Sequence, residues 1–341
     1  MFPDIFKKYL NFKNITFILV LILFLVFIFN CKNIAVLFFA SFVIACSINP
    51  IVDKLEEKMP RGFATGLVFV VITAIVLAVF IPVSVLSLEQ IKTFLYKLPH
   101  YIDNFDEYLF KLPFFDKFSF LATDADNYME KVSLSSSDML TRMIDMGRII
   151  GTSAIYILVS IIITFNMVLD KKQIKDFYLS LFPSNMKKKA ENIAKIISEK
   201  MGGYLTALVA TTSSVGIVMG IGLWIAGVPY AMLLAMITAV FDIIPVVGPA
   251  FALIICIIAT YQAGTSAVVA VIVTFAIAQL IENNFVRPFV FGKIMHIHPL
   301  VIFLFLFIAA EYIGVVGVIF APALASLVAV LLEELYIKKI N

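Results

Sequence analysis

Long stretches without a charged residue constrain this 341-residue chain more than any other feature of its sequence. Residues 201–241 contain no Asp, Glu, Lys or Arg, and similar uncharged runs cover residues 14–31, 33–52, 63–88 and 149–169. The hydrocarbon core of a bilayer is about 30 Å thick, and an α-helix of about 20 apolar residues crosses it. Each run is near or beyond that length. The sequence therefore predicts an all-α protein that crosses a membrane several times.

The overall composition excludes an ordinary soluble domain. The chain is 62% hydrophobic and 14% charged, and its mean hydropathy is +1.04. A soluble domain is about 45–50% apolar and about 25% charged. The sequence has no phosphate-binding loop, no nucleophile next to a general base and no cluster of metal ligands. It therefore predicts no enzyme, no catalytic residue, no metal site and no cofactor other than a coupling ion, H⁺ or Na⁺.

The uncharged runs divide the chain into four predicted parts. These are N-terminal membrane helices (1–88), a polar segment with an amphipathic helix (89–148), a membrane helix followed by a basic linker (149–200), and a C-terminal core (201–341). Single helices are predicted at about 15–30, 34–48, 63–88, 149–169, 203–227 and 266–284, and interrupted pairs at 229–262 and 299–332. The predicted total is about eight membrane helices or hairpins.

The positions of the basic residues predict the orientation. Lysines precede the first predicted helix, Lys54, Lys58 and Arg61 lie between the second and third, and the 171–200 segment holds eight lysines against three acids. Loops rich in Lys and Arg stay in the cytoplasm. Single crossings by the first four helices put all three regions on one side. The N- and C-termini are therefore predicted to be cytoplasmic, and the 89–148 segment external.

Two interrupted segments in the C-terminal core resemble each other. Residues 242–249 read DIIPVVGP and residues 311–318 read EYIGVVGV. Each has an acid, an Ile, Val-Val-Gly and a helix breaker, Pro245 or Gly314, at the same place. The arms of the first pair are about 20 Å long, too short to cross a bilayer comfortably. Counting crossings predicts two re-entrant hairpins of opposite orientation, a pattern typical of alternating-access transporters.

Five charged residues interrupt the core between residues 201 and 332, and three of them, Asp242, Glu282 and Glu311, belong to the predicted binding site. A carboxylate inside a membrane usually faces a cavity or a partner. Each of two acids has an alternative, structural role. Glu282 could pair with Arg287 as a structural lock, and Asp242 could cap the broken helix. The residues predicted to bind a substrate or ion are Asp242, Pro245, Gly248, Pro249, Gln279, Glu282, Asn283, Asn284, Glu311 and Gly317.

At these motifs the chain resembles the AI-2E family of bacterial membrane transporters, also called the PerM or UPF0118 family. The resemblance rests on Asp242 to Pro249, on Gln279 through Glu282 to Pro288, and on Gly292 and His298-Pro299, and it spans nearly the whole chain. It implies a place in the bacterial plasma membrane and a homo-oligomer. It also implies export of autoinducer-2, or exchange of Na⁺ or Li⁺ for H⁺. Gly317-Val318 departs from the Gly-Pro that closes the first turn.

These observations favour a secondary transporter that works by alternating access in the lipid bilayer. Its substrate would be a small polar solute or a monovalent cation. The alternative is a non-transporting integral membrane scaffold, for example one involved in envelope assembly or sporulation. A scaffold has no need of paired broken helices or of acids inside the membrane.

Overall fold

The computed structural model describes residues 31–103, 154–244, 247–291 and 298–334, and these residues are helical with short turns between the helices. No β-strand occurs in these ranges. The predicted all-α fold is therefore confirmed for this part of the chain. The predicted first helix at about 15–30 and most of the predicted 89–148 segment lie outside the described residues.

Eleven α-helices are described, and two short turns of other helical types join some of them. The turns are a 3₁₀ turn at Tyr261–Ala263 and a π-helical turn at Glu282–Val286. The helices are α1 Lys32–Glu56, α2 Arg61–Asp103, α3 Ala154–Leu169, α4 Lys171–Ser180, α5 Lys187–Ile225, α6 Ala231–Asp242, α7 Val247–Thr260, α8 Thr265–Ile281, α9 Arg287–Phe291, α10 Pro299–Tyr312 and α11 Val315–Leu332.

Five of the described helical stretches are long and apolar enough to cross a membrane. They lie in α1, α2, α5, α8 with its continuation to Val290, and α11, and α3 with α4 makes a sixth if that bent pair is one span. The chain is thus a multi-pass membrane protein. Helices α6, α7 and α10 are shorter. The predicted total of about eight helices or hairpins, and the inverted relation between the two pairs, stay predictions.

Several helices continue further than the uncharged runs indicated. Helix α5 begins at Lys187 rather than near residue 203, and α2 continues to Asp103 rather than ending near residue 88. Lys, Glu and Gln are good helix formers, so a charged residue does not end a helix. An uncharged run therefore marks the part of a helix suited to the membrane, and the helix itself extends into the polar sequence on either side.

Helix α5 lies at the centre of the described bundle and packs against α1, α6, α8 and α11. Glycines allow two of these neighbours to come close. A Cβ at Gly222 would lie 2.4 Å from Cγ2 of Thr274 on α8, and one at Gly216 would lie 3.0 Å from Cβ of Ala239 on α6. Small residues of this kind let membrane helices pack backbone against backbone.

These contacts fix the depth of two acids along α5. Helices α6 and α8 both run antiparallel to α5. Asp242 follows Ala239 by one turn, and Glu282 follows Thr274 by about two turns, or about 12 Å. Both acids therefore lie level with about residues 212–214 of α5, in the middle of the uncharged run 201–225.

An ion-pair network fastens the helices at one end of the bundle. Arg61, at the start of α2, donates from Nη1 to Asp53 at 2.9 Å and to Glu56 at 2.7 Å. Its Nη2 donates to Asn49 Oδ1 at 3.0 Å and its Nε to the Val168 carbonyl at 2.8 Å. The Arg61 side chain is 11% exposed. One guanidinium thus joins the ends of α1, α2 and α3.

Each interrupted segment forms two helices that pack against each other, α6 with α7 and α10 with α11. The first break is shorter than predicted, because Pro249 was expected in the break and instead lies in the first turn of α7. Proline is accepted there, since the first N–H groups of a helix have no intrahelical acceptor. The second break consists of Ile313 and Gly314, and Gly314 has φ +83°.

Candidate functional site

Glu282 is fully buried and is held by two side chains from its own helical segment. Its exposed fraction is 0%. Arg287 Nε donates to Glu282 Oε1 at 2.7 Å, and Gln279 Nε2 donates to Glu282 Oε2 at 3.2 Å. The Arg287 side chain is 38% exposed. Each carboxylate oxygen therefore accepts one hydrogen bond, and the guanidinium connects the buried acid to a less buried surface.

The π-helical turn explains how Glu282 and Arg287 come together. Five residues separate them in sequence, and side chains at that spacing do not lie on one face of a regular α-helix. The turn Glu282–Val286 widens the helix, so that Arg287 lies above Glu282. A π-turn interrupts the regular hydrogen bonding of an α-helix and is frequent at functional sites. It is the local feature that makes this ion pair.

Asp242 is a second buried acid, and it lacks hydrogen bonds of its own. It ends α6 and is 4% exposed. Neither of its carboxylate oxygens has a hydrogen-bond partner in the described part of the chain. Glu282 and Gln279 are its neighbours, and Arg287 is within electrostatic range. The structure thus brings Asp242, Gln279 and Glu282 together, and Asp242 is the member of the group whose oxygens are unused.

The two helix breaks have the same tight geometry at their glycines. A Cβ at Gly248 would lie 1.7 Å from the Phe241 carbonyl oxygen and 3.4 Å from Cβ of Ile244. A Cβ at Gly317 would lie 3.0 Å from the Ala309 carbonyl oxygen and 2.4 Å from Cβ of Ile313. Both glycines are buried. Gly248 and Gly317 therefore allow each second helix to start directly against the end of the first.

The two breaks also meet in space. Ile244, in the first break, packs against an apolar cluster formed by the second helix pair. Leu306 and Ala309 of α10 and Val318 and Ala321 of α11 make up that cluster, with Ile313 packed against it. The break that follows Asp242 thus rests on the second helix pair, next to its own break.

Other predicted site residues lie apart from the buried group. Asn283 and Asn284 are exposed, and the Asn284 side chain donates to the Leu280 carbonyl of its own helix at 3.0 Å. Glu311 is exposed near the end of α10. Pro245 lies outside the described residues. Pro249 is half-buried in the first turn of α7.

One residue at the site, Arg287, was not among those predicted to bind a substrate or ion. The sequence predicted it only as a lock for Glu282, although a charge inside an apolar segment indicates either a structural or a binding role. Away from these acids, the Tyr204 hydroxyl donates to the Ile319 carbonyl and so joins α5 to α11. Nothing in the sequence around Tyr204 distinguishes it from other tyrosines of apolar helices.

Comparisons with known proteins agree with this architecture. Residues 17–337 match the sequence profile of the AI-2E family transporters. A candidate transport protein of Bacillus subtilis, YueF, is 24% identical over 82% of this chain and 78% of its own length. The candidate permease PerM of Escherichia coli K12 is 24% identical over 79% of this chain and 77% of its own.

A shorter match joins the chain to another Bacillus subtilis protein, the candidate transport protein YrrI. The two are 30% identical over 174 residues, and the chain spans about half the length of YrrI, 49%. The family match, in contrast, covers nearly all of the sequence and includes both helix breaks and the acids beside them. On this basis the chain belongs to the AI-2E family of transporters.

Proposed function

We propose that this protein is a secondary transporter that moves a monovalent cation or a small polar solute across the plasma membrane of a bacterium by alternating access. Asp242, Glu282 and Gln279 form its binding site, at the place where the two helix breaks meet. The observation that carries this proposal is the Asp242 carboxylate, which is buried in the middle of the apolar bundle without a hydrogen bond.

The charges of the group support binding of a cation or a proton. Asp242 and Glu282 together carry two negative charges when ionised, and Arg287 supplies one positive charge, which it places on Glu282. One negative charge is left uncompensated. An isolated buried charge costs several kcal/mol at least, so it is paired or neutralised. A proton, a sodium ion or a positively polarised group of a solute provides the missing partner at Asp242.

The arrangement of the helices supports alternating access. Helix pairs α6–α7 and α10–α11 each turn back at a break, and Ile244 links the two breaks by apolar contact. If the pairs are re-entrant hairpins of opposite orientation, each one covers the acids from a different side of the membrane. Movement of one pair at a time would then open the site to one side only.

The substrate is proposed from the chemistry of the group. Gln279 offers an amide, Asp242 offers a carboxylate, and the two breaks offer backbone carbonyls in a region without water. Such groups suit sodium, lithium and protons, and also a polyhydroxylated solute such as autoinducer-2. Export of this solute, or exchange of Na⁺ or Li⁺ for H⁺, is therefore the proposed activity.

The test is transport by purified protein in liposomes. Uptake of sodium, lithium and autoinducer-2 would be followed with an imposed pH gradient, for the parent protein and for Asp242→Asn. We expect transport of at least one of these substrates by the parent. Asp242→Asn has nearly the same shape and no charge, so its transport should fall to that of protein-free liposomes.

A matched control separates the site from general effects of lost charge. Glu57→Gln removes an exposed acid in the turn after α1 and should transport like the parent. Both variants should elute from a sizing column as the parent does. Full transport by Asp242→Asn would show that the unpaired carboxylate is not used. No transport of any tested substrate by the parent would favour a scaffold.

The ion pair between Arg287 and Glu282 favours a second role for Glu282, as a structural lock. The structural role and the binding role of Glu282 are compatible, because Glu282 paired with Arg287 still places its negative charge beside Asp242. A purely structural Glu282 predicts that Glu282→Gln lowers stability and leaves transport per folded molecule unchanged. A binding role predicts that transport per folded molecule falls.

A further inference from the structure

Helix α4 leaves its apolar side chains uncovered. It is bent by 75° relative to α3, and none of its residues is buried. Ile174, Phe177 and Leu181 are 48%, 69% and 66% exposed. Their spacing of three and four residues places them on one face. The helix therefore presents an apolar stripe, consisting of these three residues, next to a membrane span.

Ion pairs hold the opposite face of α4 against the rest of the protein. Lys172 pairs with Glu56 of α1, and Lys175 pairs with Glu191 of α5. Both lysines lie away from the apolar stripe in a helical projection. The orientation of α4 is thus fixed by charges on one side, and the stripe faces away from the bundle.

A groove continues the apolar stripe towards the membrane helices. Its volume is about 520 Å³, and it runs between α1, α3 and α4. Phe38, Ile162 and Met167 line its inner part, and Ile174 and Phe177 form its edge on α4. Phe38 is itself 49% exposed. The stripe and the groove therefore form one apolar surface that the described residues leave uncovered, and it starts on a membrane helix and ends on α4.

Three lysines follow the stripe in sequence, after a turn of five residues. Lys187, Lys188 and Lys189 begin α5, and none of the ion pairs found in the described ranges includes them. The N-terminal end of a helix carries a partial positive charge from the helix dipole, and these lysines add to it. Both the dipole and the lysines therefore attract an anion. The whole 171–200 segment has eight lysines against three acids. Two copies of so basic a surface would repel each other, whereas an anionic surface would attract it.

We infer that α4 is an interfacial helix that binds anionic phospholipid. Acyl chains cover the apolar stripe and fill the groove, and Lys187, Lys188 and Lys189 bind the phosphate headgroups. A helix with an apolar stripe and lysines lies in the plane of the membrane surface in this way. An anionic leaflet attracts each lysine that lies near its surface. The inference does not depend on the proposed transport activity.

Tryptophan quenching tests whether lipid covers the stripe. The chain has one tryptophan, so Trp224→Phe provides a silent background. Phe177→Trp in that background would be placed in nanodiscs of phosphatidylcholine and phosphatidylglycerol with brominated acyl chains. We expect strong quenching relative to unbrominated nanodiscs. Asp176→Trp, one residue away and facing elsewhere, is the matched control and should be quenched much less.

Lipid retention tests the headgroup assignment. Native mass spectrometry would compare phosphatidylglycerol and phosphatidylcholine bound to the purified full chain. The triple variant Lys187→Gln, Lys188→Gln, Lys189→Gln should lose the preference for phosphatidylglycerol. Lys195→Gln with Lys200→Gln, further along α5, should keep it.

Three results would overturn the inference. Equal quenching at positions 176 and 177, with Leu181→Trp in agreement, would mean that the stripe is not in lipid. Efficient disulfide crosslinking of Phe177→Cys between two copies would mean that protein covers it. An unchanged preference for phosphatidylglycerol in the triple lysine variant would show that these lysines do not select the headgroup.

Discussion

Arg287 reaches Glu282 across a single π-helical turn, with Nε 2.7 Å from Oε1. The acid is fully buried and the guanidinium is 38% exposed. A break of this pair would leave Glu282 buried, beside Asp242, with the Gln279 amide as its remaining hydrogen-bond donor. Loss of the ion pair is therefore expected to lower both the stability of the protein and its transport activity, and the two effects can be measured separately.

The first prediction uses a double-mutant cycle to separate the effect of the ion pair on stability from its effect on transport. Arg287→Ala should destabilise the protein by about 3 kcal/mol, because it strands a buried charge. Glu282→Gln combined with Arg287→Ala should recover most of that loss, since position 282 then carries no charge without a partner. Thermal unfolding in detergent measures the coupling between the two residues. Transport should stay absent in the double variant, and its return would assign the pair to structure alone.

The second prediction concerns the glycines at the two breaks. Gly248→Ala places a methyl group 1.7 Å from the Phe241 carbonyl oxygen, which cannot yield without a shift of the backbone. We expect a loss of about 1–3 kcal/mol, as for other overpacked sites. Gly66→Ala is the control, because nothing lies within 4 Å of its added Cβ. A melting temperature equal to that of the control would contradict the tight approach of α6 and α7.

The third prediction concerns the ion-pair network at Arg61. Arg61→Ala removes hydrogen bonds to Asp53, Glu56, Asn49 and the Val168 carbonyl together. A loss of about 2 kcal/mol is expected, since the acids are partly exposed and so partly solvated. Arg61→Lys keeps the charge but lacks the fork of donors, so it should recover only a fraction. If thermal unfolding shows the lysine variant to be as stable as the parent, charge alone holds this end of the bundle.

The fourth prediction tests alternating access at the two breaks. Val247 and Val316 occupy equivalent positions, and both are exposed in the structure. Single cysteines there, in a background without Cys31, Cys46 and Cys256, should react with membrane-impermeant thiol reagents. The reactive side should change with the ion supplied, because a ligand shifts two conformations only if it binds them differently. Reagent access that is the same from both sides under every ion condition would argue against the mechanism.

The fifth prediction fixes the orientation. A single cysteine in place of Lys188 should be labelled only after cells are opened, and one in place of Asp124 should be labelled in intact cells. The positive-inside rule is the basis of this expectation. The opposite pattern would reverse the assigned sides of both helix pairs. It would leave the contacts between them unchanged.

Much of the fold could be read from local features of the sequence. The breaks at 242–249 and 311–318 each contain a Pro or Gly three residues after an acid, and the helix is interrupted within both segments. The presence of a proline alone does not predict a break, because Pro50 and Pro322 lie inside continuous helices. Glycines in an apolar helix are a further local feature, and Gly216 and Gly222 lie where α5 approaches Ala239 and Thr274 closely.

The site itself was only partly predictable, because its geometry depends on packing between distant segments. On a regular helix the three- and four-residue spacing of Gln279, Glu282 and Asn283 would place them on one face. The π-turn after Ile281 instead leaves Asn283 exposed and brings Arg287 to Glu282. A regular helical projection has no such turn. The bend between α3 and α4 was not predictable either, because residues 169–172 contain neither Pro nor Gly.

Helix α2 extends past its contact with α6. Gln90 Oε1 accepts a hydrogen bond from the Leu233 amide, at the start of α6, while Arg61 lies at the other end of the bundle. The helix therefore spans the bundle by residue 90 and then continues to Asp103, about 20 Å further at 1.5 Å per residue. Any segment that follows Asp103 is thus attached about 20 Å along the helix from the contact that holds α6.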